Sequence, residues 1–276
     1  FTTLAKFLVI GGVVLPLLPT EPISANIAIS PYKFWLAIVA VSAISYFSYL
    51  LKKFVFPNSG ILLTGILGGL YSSTATTVIL ARRSKEAPGD LRVSGAIFMA
   101  TAMMYIRIFL LALFFNETLA MHLAPAFLVL AVASSLVAIY FGKVKTGKQQ
   151  IILEQTNSEN RNPLEFKTAL LFGTLFIFFA LITTYINNNY GSSGLNVLSF
   201  VVGVTDIDPF IINLLQSKLN LADSFIAIAI VNATTSNNLL KMIYGIALSN
   251  KSLRVPLATG FSIIIVFGLI ISFFFL

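Results

Sequence analysis

Long apolar segments dominate this chain and set the first limit on its fold. Roughly nine of them reach or approach the length of about 20 residues that a helix needs to cross the hydrocarbon core of a bilayer. Hydrophobic residues make up 57% of the sequence and charged residues 10%, so a single aqueous core cannot hide this apolar surface. We therefore predict an all-α polytopic membrane protein, with spans at 4–18, 33–51, 60–81, 94–116, 122–142, 167–186, 194–216, 223–247 and 254–276.

The ionisable residues narrow the range of functions. The chain has no cysteine and a single histidine, His122, which excludes thiolate and histidine metal clusters. The net charge of +8 is spread over the connections between spans, and the positive-inside rule explains it without a nucleic-acid partner. Because the sequence begins at Phe1 rather than at a methionine, we expect a further portion upstream.

The distribution of basic residues predicts an orientation. If the polar connection 143–166 is cytoplasmic, most lysines and arginines fall on that side, and only Lys52, Lys53, Lys251 and Arg254 lie outside. Such a bias is typical of inner-membrane proteins of bacteria. We therefore predict a multi-pass protein of the bacterial inner membrane whose C-terminus is cytoplasmic.

Short self-similar segments indicate an internal repeat. "SSTATTVILARR" at 72–83 resembles "NATTSNNLLKMI" at 232–243, and "LRVSGAIFMAT" at 91–101 resembles "LRVPLATGFSI" at 253–263. Each pair is about 160 residues apart, and five predicted spans, an odd number, separate the members of a pair, so the two halves would cross the membrane in opposite directions. The prediction is a four-helix repeat at 1–116, a connecting helix and cytoplasmic linker at 117–166, and a second, inverted four-helix repeat at 167–276.

Two carboxylates lie inside an apolar segment, in "VGVTDIDPFI" at 202–211. A carboxylate in hydrocarbon costs at least a few kcal/mol, so Asp206 and Asp208 require a wet or protein-lined environment. Gly203 and Pro209 bracket them and favour a broken or kinked helix, in which both could bind one metal cation beside loosened backbone carbonyls. Two alternatives stay open: the carboxylates face water at the edge of the span, or they form structural salt bridges with Lys241 or Arg107.

Two polar runs, rich in hydroxyl and amide side chains, supply a second candidate element: "SSTATT" at 72–77 and "NATTSNN" at 232–238. Such neutral oxygens are ligands that hard cations accept when they lose water, and consecutive polar residues favour an unwound or cavity-lining segment. The alternative is that they join membrane helices by hydrogen bonds. The predicted ion-binding or pathway residues, beside the two aspartates, are Thr205, Ser72, Ser73, Thr74, Thr76, Thr77, Asn232, Thr234, Thr235, Ser236, Asn237 and Asn238.

Two basic residues also fall inside predicted spans. A buried cation needs a partner, and Asp206 and Asp208 are the carboxylates within spans. Charge compensation is therefore the predicted role of Lys241 and Arg107. The alternative is a fixed positive charge that an arriving cation displaces, or one that attracts an anion.

The polar runs also carry a resemblance to a known family. "GGLYSSTATTVILARRS" and "NATTSNNLLK" resemble the membrane domain of unknown function 4010, which follows the MgtC domain in proteins of the MgtC/SapB family. The resemblance covers nearly the whole chain. It implies an N-terminal MgtC-like domain in the same polypeptide and, through that domain, a link to magnesium.

We therefore predict a cation channel or secondary transporter in the lipid bilayer, with a site near the midplane and no organic cofactor. Magnesium, sodium and potassium are candidate ions, and proton coupling through one aspartate stays open. The competing prediction is a non-transporting module that regulates or scaffolds another transporter. Enzymatic activity is not expected, because His122 lies far from the polar runs in sequence. A homodimer is a further candidate assembly.

Overall fold

The fold is taken from a computed structural model, which describes residues 9–22, 30–57, 60–86, 88–143, 166–216 and 221–274. These residues form helices and turns, with no strand among them. A π-helical turn, Val9–Val14, and a 3-10 turn, Leu15–Leu17, come first. Eight α-helices follow: α1 Pro31–Leu50, α2 Ile61–Arg83, α3 Arg92–Phe115, α4 Glu117–Lys143, α5 Phe166–Val202, α6 Ile207–Gln216, α7 Asp223–Leu248 and α8 Lys251–Phe274.

Local capping explains where several helices begin. Ser30 accepts a hydrogen bond from the backbone N–H of Lys33, with Pro31 at the first helical position of α1. Asn116, the single residue between α3 and α4, accepts from the N–H of Leu119. Asn250 similarly accepts from the N–H of Ser252 at the start of α8. These short, capped connections make α3/α4 and α7/α8 antiparallel helix pairs.

Helix α2 reverses its direction near its middle. Ser72 has non-helical backbone angles, φ −163° and ψ 109°. A Cβ placed on Gly68 would lie 2.5 Å from Oγ1 of Thr76, whereas these positions are about 12 Å apart along a straight helix. The chain therefore folds back at Ser72, and α2 is a hairpin of two half-helices, 61–71 and 73–83.

The first half of this hairpin packs on α3 at unusually close range. A Cβ on Gly69 would lie 2.5 Å from Cα of Ala100, and a Cβ on Gly65 would collide with the backbone of Ala96. Contacts that advance by four residues on both helices show that 61–71 and α3 run in the same direction. Glycine is required at these two positions because the backbones touch.

Both ends of the α2 hairpin lie at one end of the helix bundle. Ile61 and Leu62 pack against the same buried cluster as Leu80 and Ala81. The backbone N–H of Asn250 donates to Oγ of Ser84 at 2.8 Å, which brings the α7/α8 connection to this end as well. We call this end the basic face, because it carries Lys52, Lys53, Arg82, Arg83, Lys85, Arg92, Lys143, Lys251 and Arg254.

The basic face corrects one prediction. The predicted spans placed Lys52, Lys53, Lys251 and Arg254 opposite Arg82 and Arg83, because each of the predicted segments was expected to cross the bilayer. The hairpin instead returns the chain to the side on which it began, so Lys52 and Lys53 share a face with Arg82 and Arg83. The contact between Asn250 and Ser84 brings Lys251 and Arg254 to the same face. Lys33 lies at the other end of α1.

Helix α7 runs through the centre of the bundle. Its middle section, 229–238, is buried on every side. Near its start, Asn232 contacts Ser272 of α8, and near its end Leu257 lies beside Gly245. Helix α8 therefore begins at the basic face and ends at the opposite one.

The chain is also interrupted on either side of the second half of α5. Gly191 has φ +58°, a left-handed conformation that glycine adopts readily, and there residues 192–202 turn back on 166–190. A Cβ on Gly194 would lie 2.8 Å from Cγ2 of Ile186, which a straight helix would keep about 12 Å away. A second interruption, at 203–206, separates α5 from α6.

Several apolar helices make this a multi-pass membrane protein. By length and composition, the described chain has six helices able to cross a membrane: Pro31–Val55, Ile61–Arg83, Arg92–Phe115, Glu117–Lys143, Leu171–Val202 and Lys251–Phe274. The predicted count of nine is not confirmed. Two of the six fold back, α2 at Ser72 and Leu171–Val202 at Gly191. The predicted span 194–216 is interrupted at 203–206, and α7 carries a polar run that is covered by neighbouring helices. The start of the span 4–18 and most of the linker 143–166 lie outside the described residues.

The inverted repeat is not confirmed either. The matched segments 72–83 and 232–243 differ in backbone, since the first begins at a reversal and the second is a straight helix. They also run side by side in the same direction, because Thr74 contacts Asn237 and Ser84 contacts Asn250 further along both helices. Matched helices of an inverted repeat would run in opposite directions.

Candidate functional site

The reversal at Ser72 leaves two helix ends near the middle of the bundle. Half-helix 73–83 is capped by Ser72, whose Oγ accepts from the backbone N–H of Ala75 at 3.3 Å. Half-helix 61–71 ends with carbonyls that lack a partner within the helix. Arg107 of α3 supplies that partner: its Nη1 donates to the carbonyl of Tyr71 at 2.8 Å and lies 3.5 Å from that of Leu70.

The second interruption, at 203–206, is held by side chains of α7. Oγ of Ser236 donates to the carbonyl of Phe200 at 2.7 Å, and Nδ2 of Asn237 donates to that of Gly203 at 3.2 Å. Thr205 donates to the carbonyl of Val202 at 2.8 Å. The polar run of α7 therefore replaces the hydrogen bonds that the end of α5 loses.

Both aspartates lie at the start of α6. Asp206 is the N-cap: its Oδ1 accepts from the backbone N–H of Asp208 at 3.2 Å. Asp208 lies in the first turn, where the positive end of the helix dipole favours a negative charge. The expected break in this helix is present.

Arg107 joins the interruption at Ser72 to the interruption at 203–206. Its Nη2 donates to both carboxylate oxygens of Asp208, each at 2.6 Å, while Nη1 binds the end of half-helix 61–71. Both side chains are 7% exposed, so the pair is shielded from water and its attraction is strong. Displacing Arg107 would release Asp208 and the hairpin tip together.

Asp206 and Asp208 differ in their availability to a ligand. Both oxygens of Asp208 are bound by Arg107, whereas Asp206 is exposed within the exposed stretch 204–206. The described residues contain no group of three or more histidine, cysteine, aspartate or glutamate side chains that could hold a metal ion. In this conformation the two carboxylates therefore cannot bind one cation together, and Asp206 is the carboxylate that is accessible to a ligand.

The two polar runs meet at one point. Oγ1 of Thr74, beside the hairpin tip, lies 3.5 Å from Oδ1 of Asn237. Asn237 also binds the carbonyl of Gly203, so it connects the first interruption to the second. This contact places the neutral oxygens of Thr74 and Asn237 near the segment that carries Asp206.

Lys241 occupies a different environment from Arg107. It is fully buried, and its Nζ lies 2.9 Å from Sδ of Met104 and 3.2 Å from Oδ1 of Asn238. Asn238 also donates to the hydroxyl of Tyr105 at 2.6 Å. Among the described residues, no carboxylate lies within salt-bridge distance of Lys241.

The family assignment follows from comparison with known sequences. The family described as "Domain of unknown function (DUF4010)" matches residues 39–249. The chain belongs to this family. In the DUF4010 region, the match contains the interruptions at Ser72, Gly191 and 203–206, the Arg107–Asp208 pair and Lys241. This confirms the predicted resemblance to domain 4010, while the link to MgtC/SapB stays a prediction.

A relative of this DUF4010 chain comes from Aquifex aeolicus (strain VF5), where it is named "Uncharacterized protein". It is 27% identical over 209 residues, which cover 72% of this chain and 86% of the relative. No solved structure matches the chain.

The remaining predicted residues of the DUF4010 region mostly form bonds within its helices. Thr77 donates to the carbonyl of Ser73 and Thr234 to that of Val231. Thr76 packs on Gly68 in the hairpin. Asn232 accepts from Ser272 at 2.7 Å, and the buried hydroxyl of Thr235 has no hydrogen-bond partner among the described residues.

The sequence reasoning missed three contributors to the site. Tyr105 and Met104, which contact Asn238 and Lys241, lie in an apolar part of α3 without any polar pattern. Ser272 lies in the last, phenylalanine-rich segment. One signal was available, since Met104 lies one helical turn before Arg107 and therefore shares its face.

Proposed function

We propose that this protein is a secondary transporter for a small cation in the bacterial inner membrane. One observation carries the proposal: two helix interruptions are joined inside the bundle by a buried ion pair between Arg107 and Asp208. Interrupted helices place main-chain groups and helix dipoles where an ion can use them, and transporters exploit this arrangement.

Asp206 is the proposed charged ligand. It is the exposed carboxylate of the second interruption, and hydroxyl and amide oxygens of Thr205, Thr74 and Asn237 belong to the same region. Oxygen ligands of this kind suit sodium, potassium or a partly hydrated magnesium ion. Magnesium has additional support only from the predicted association with an MgtC-like domain.

The contacts already formed by the polar groups of the site favour a carrier over a channel. Asp208 is occupied by Arg107, and the polar run of α7 is occupied by carbonyls of α5. A continuous path would have to break several of these contacts, so transport requires a conformational change. Arg107 would change its contacts in that step, because it binds both Tyr71 and Asp208.

The basic face gives the proposed orientation. Because positive residues concentrate on the cytoplasmic side, we place the basic face in the cytoplasm. The end of α8 then lies on the outer side, which revises the cytoplasmic C-terminus expected from a straight count of spans. A homodimer stays a proposal, and the transport mechanism does not depend on it.

The test is ion flux into liposomes that contain the purified protein. Magnesium, sodium and potassium are each supplied with and without a pH gradient. Asp206→Asn should reduce flux at least about tenfold, the effect of losing roughly 1.4 kcal/mol of ion binding. Asp223→Asn, an acid-to-amide change at the start of α7 and away from the interruptions, is the matched control and should transport normally.

Two results would count against the proposal. Normal flux in a folded Asp206→Asn variant would refute the assignment of the ligand. A folded wild-type protein that moves none of these ions would refute transport and favour the alternative, a membrane module that regulates another transporter.

A further inference from the structure

Lys241 is a buried base, and no carboxylate of the described residues lies within salt-bridge distance of it. Its side chain has no exposure to solvent, and its amine contacts a thioether and an amide oxygen. A thioether is a weak acceptor, and an ammonium group that is removed from water costs several kcal/mol unless a carboxylate compensates it. The surroundings described here therefore suit the neutral amine.

The ionisable groups near the interruptions form one electrostatic network. Arg107 and Asp208 both interact with Lys241, and both interact with Asp206. Tyr105 of α3 reaches the network through Asn238. A proton on Lys241 and a cation bound at Asp206 would therefore both interact with the Arg107–Asp208 pair.

The net charge of this network defines two balanced states. Arg107 and Asp208 cancel each other, which leaves Asp206 and Lys241. With a proton on Lys241 and no cation at Asp206, the sum is zero. With a monovalent cation at Asp206 and neutral Lys241, the sum is again zero. Occupying both sites, or neither, leaves a net charge that is expensive at membrane depth.

Resting on the proposed cation transport, we infer that Lys241 is the proton-binding site of a cation/proton antiporter. The ammonium group of Lys241 releases its proton to water on one side of the membrane when a cation binds at Asp206. After the cation leaves, the amine takes up a proton from the other side. One positive charge replaces another in each half of the cycle, and no further reactant is needed. Because Lys241 is fully buried, proton exchange requires the conformational change that also moves the cation.

The first experiment measures cation binding and proton release in the purified protein. Isothermal titration with sodium, potassium or magnesium is run at a series of pH values. The wild-type affinity for the transported cation should rise by up to about tenfold per pH unit over the range in which Lys241 loses its proton. A pH-sensitive dye in weakly buffered solution should report proton release on cation binding.

Two substitutions assign the proton to Lys241. Lys241→Met has nearly the same length and cannot be protonated, so the dependence of cation affinity on pH should become flat. Lys241→Arg keeps the charge permanently, so cation binding should be weak at every pH. A purely structural role for Lys241 would leave the pH slope intact in both variants. If Lys241→Arg fails to fold, the slope of Lys241→Met still decides the question.

The possible failures are distinguishable. Cation binding or flux without proton release in the wild type would overturn the antiport inference and leave the transporter proposal standing. A pH slope that persists in Lys241→Met would overturn the assignment to Lys241 and point to Asp206 as the proton carrier. No cation binding or flux in the folded wild type would overturn the proposed function itself.

Discussion

Removing the buried guanidinium of Arg107 should be among the most destabilising single changes in this protein. In Arg107→Met, the carboxylate of Asp208 stays buried without its partner, a loss of about 3–5 kcal/mol. The carbonyl of Tyr71 loses its donor as well, which adds about 1–3 kcal/mol. The sum is about 4–8 kcal/mol. At roughly 2–4 °C per kcal/mol, the unfolding temperature should fall on the order of 10–30 °C.

A double variant separates the charge effect from the packing effect. In Arg107→Met, Asp208→Leu no uncompensated charge remains, and mainly the cost of the uncapped carbonyl persists, about 1–3 kcal/mol. The double variant should therefore be more stable than Arg107→Met alone. Arg254→Met is the matched control: Arg254 is an exposed arginine of α8, so the change should cost at most about 1 kcal/mol.

The assay is thermal unfolding in detergent, followed by loss of the monodisperse peak in size-exclusion chromatography. A double variant as unstable as the sum of its two single variants would refute the reasoning, because the two residues would then not interact. An Arg254→Met variant as unstable as Arg107→Met would refute the dependence on burial.

Three further predictions test the fold. In this cysteine-free chain, Gly68→Cys and Thr76→Cys should form a disulfide, since the Cβ positions are 3.3 Å apart in the hairpin; a pair that stays reduced under oxidising conditions, in a folded protein, would indicate a straight helix. Lys53→Cys and Lys251→Cys should react with a membrane-impermeant maleimide from the same side, and labelling from opposite sides would contradict the shared basic face. Gly69→Val should destabilise the protein by several kcal/mol, because its side chain would enter the backbone of α3; unchanged thermal stability would show that the helices are not in contact there.

The sequence predicted the helix interruptions better than it predicted the path of the chain. A glycine and a proline around Asp206 and Asp208 pointed to a break, and the break lies at 203–206. The consecutive hydroxyl groups after residue 71 pointed to unwinding, and Ser72 is non-helical. In both cases the signal was local, since the residues that disturb a helix are the residues at the interruption.

The reversal of α2 had no comparable signal. Residues 61–83 are long and apolar enough to cross a membrane, and hydropathy is the same for a spanning helix and for two half-helices that fold back. What distinguishes them is the contact of Gly65 and Gly69 with α3, which depends on residues about 30 positions later. This one reversal also changes the side assigned to each following segment.

The partners of the buried charges could not be predicted from the sequence either. A salt bridge of Arg107 with one of the aspartates was among the alternatives, but composition offered no way to choose Asp208 over Asp206. For Lys241 the predicted partners were carboxylates, whereas its contacts are Met104 and Asn238. Such partners depend on which helix faces meet, and each face mixes residues from distant parts of the sequence.

The dependence of the α2 hairpin on later residues has a consequence for biogenesis. When residues 61–83 leave the ribosome, neither α3 nor Asp208 has been made, and the carbonyl groups at the hairpin tip have no donor. A straight transmembrane helix is then the better state, because it satisfies its own backbone. The hairpin becomes favourable only after α3 supplies Arg107 and the backbone that Gly65 and Gly69 contact. It is completed when Asp208 has been made and binds Arg107. The segment should therefore enter the membrane in one topology and reach its final one late in assembly.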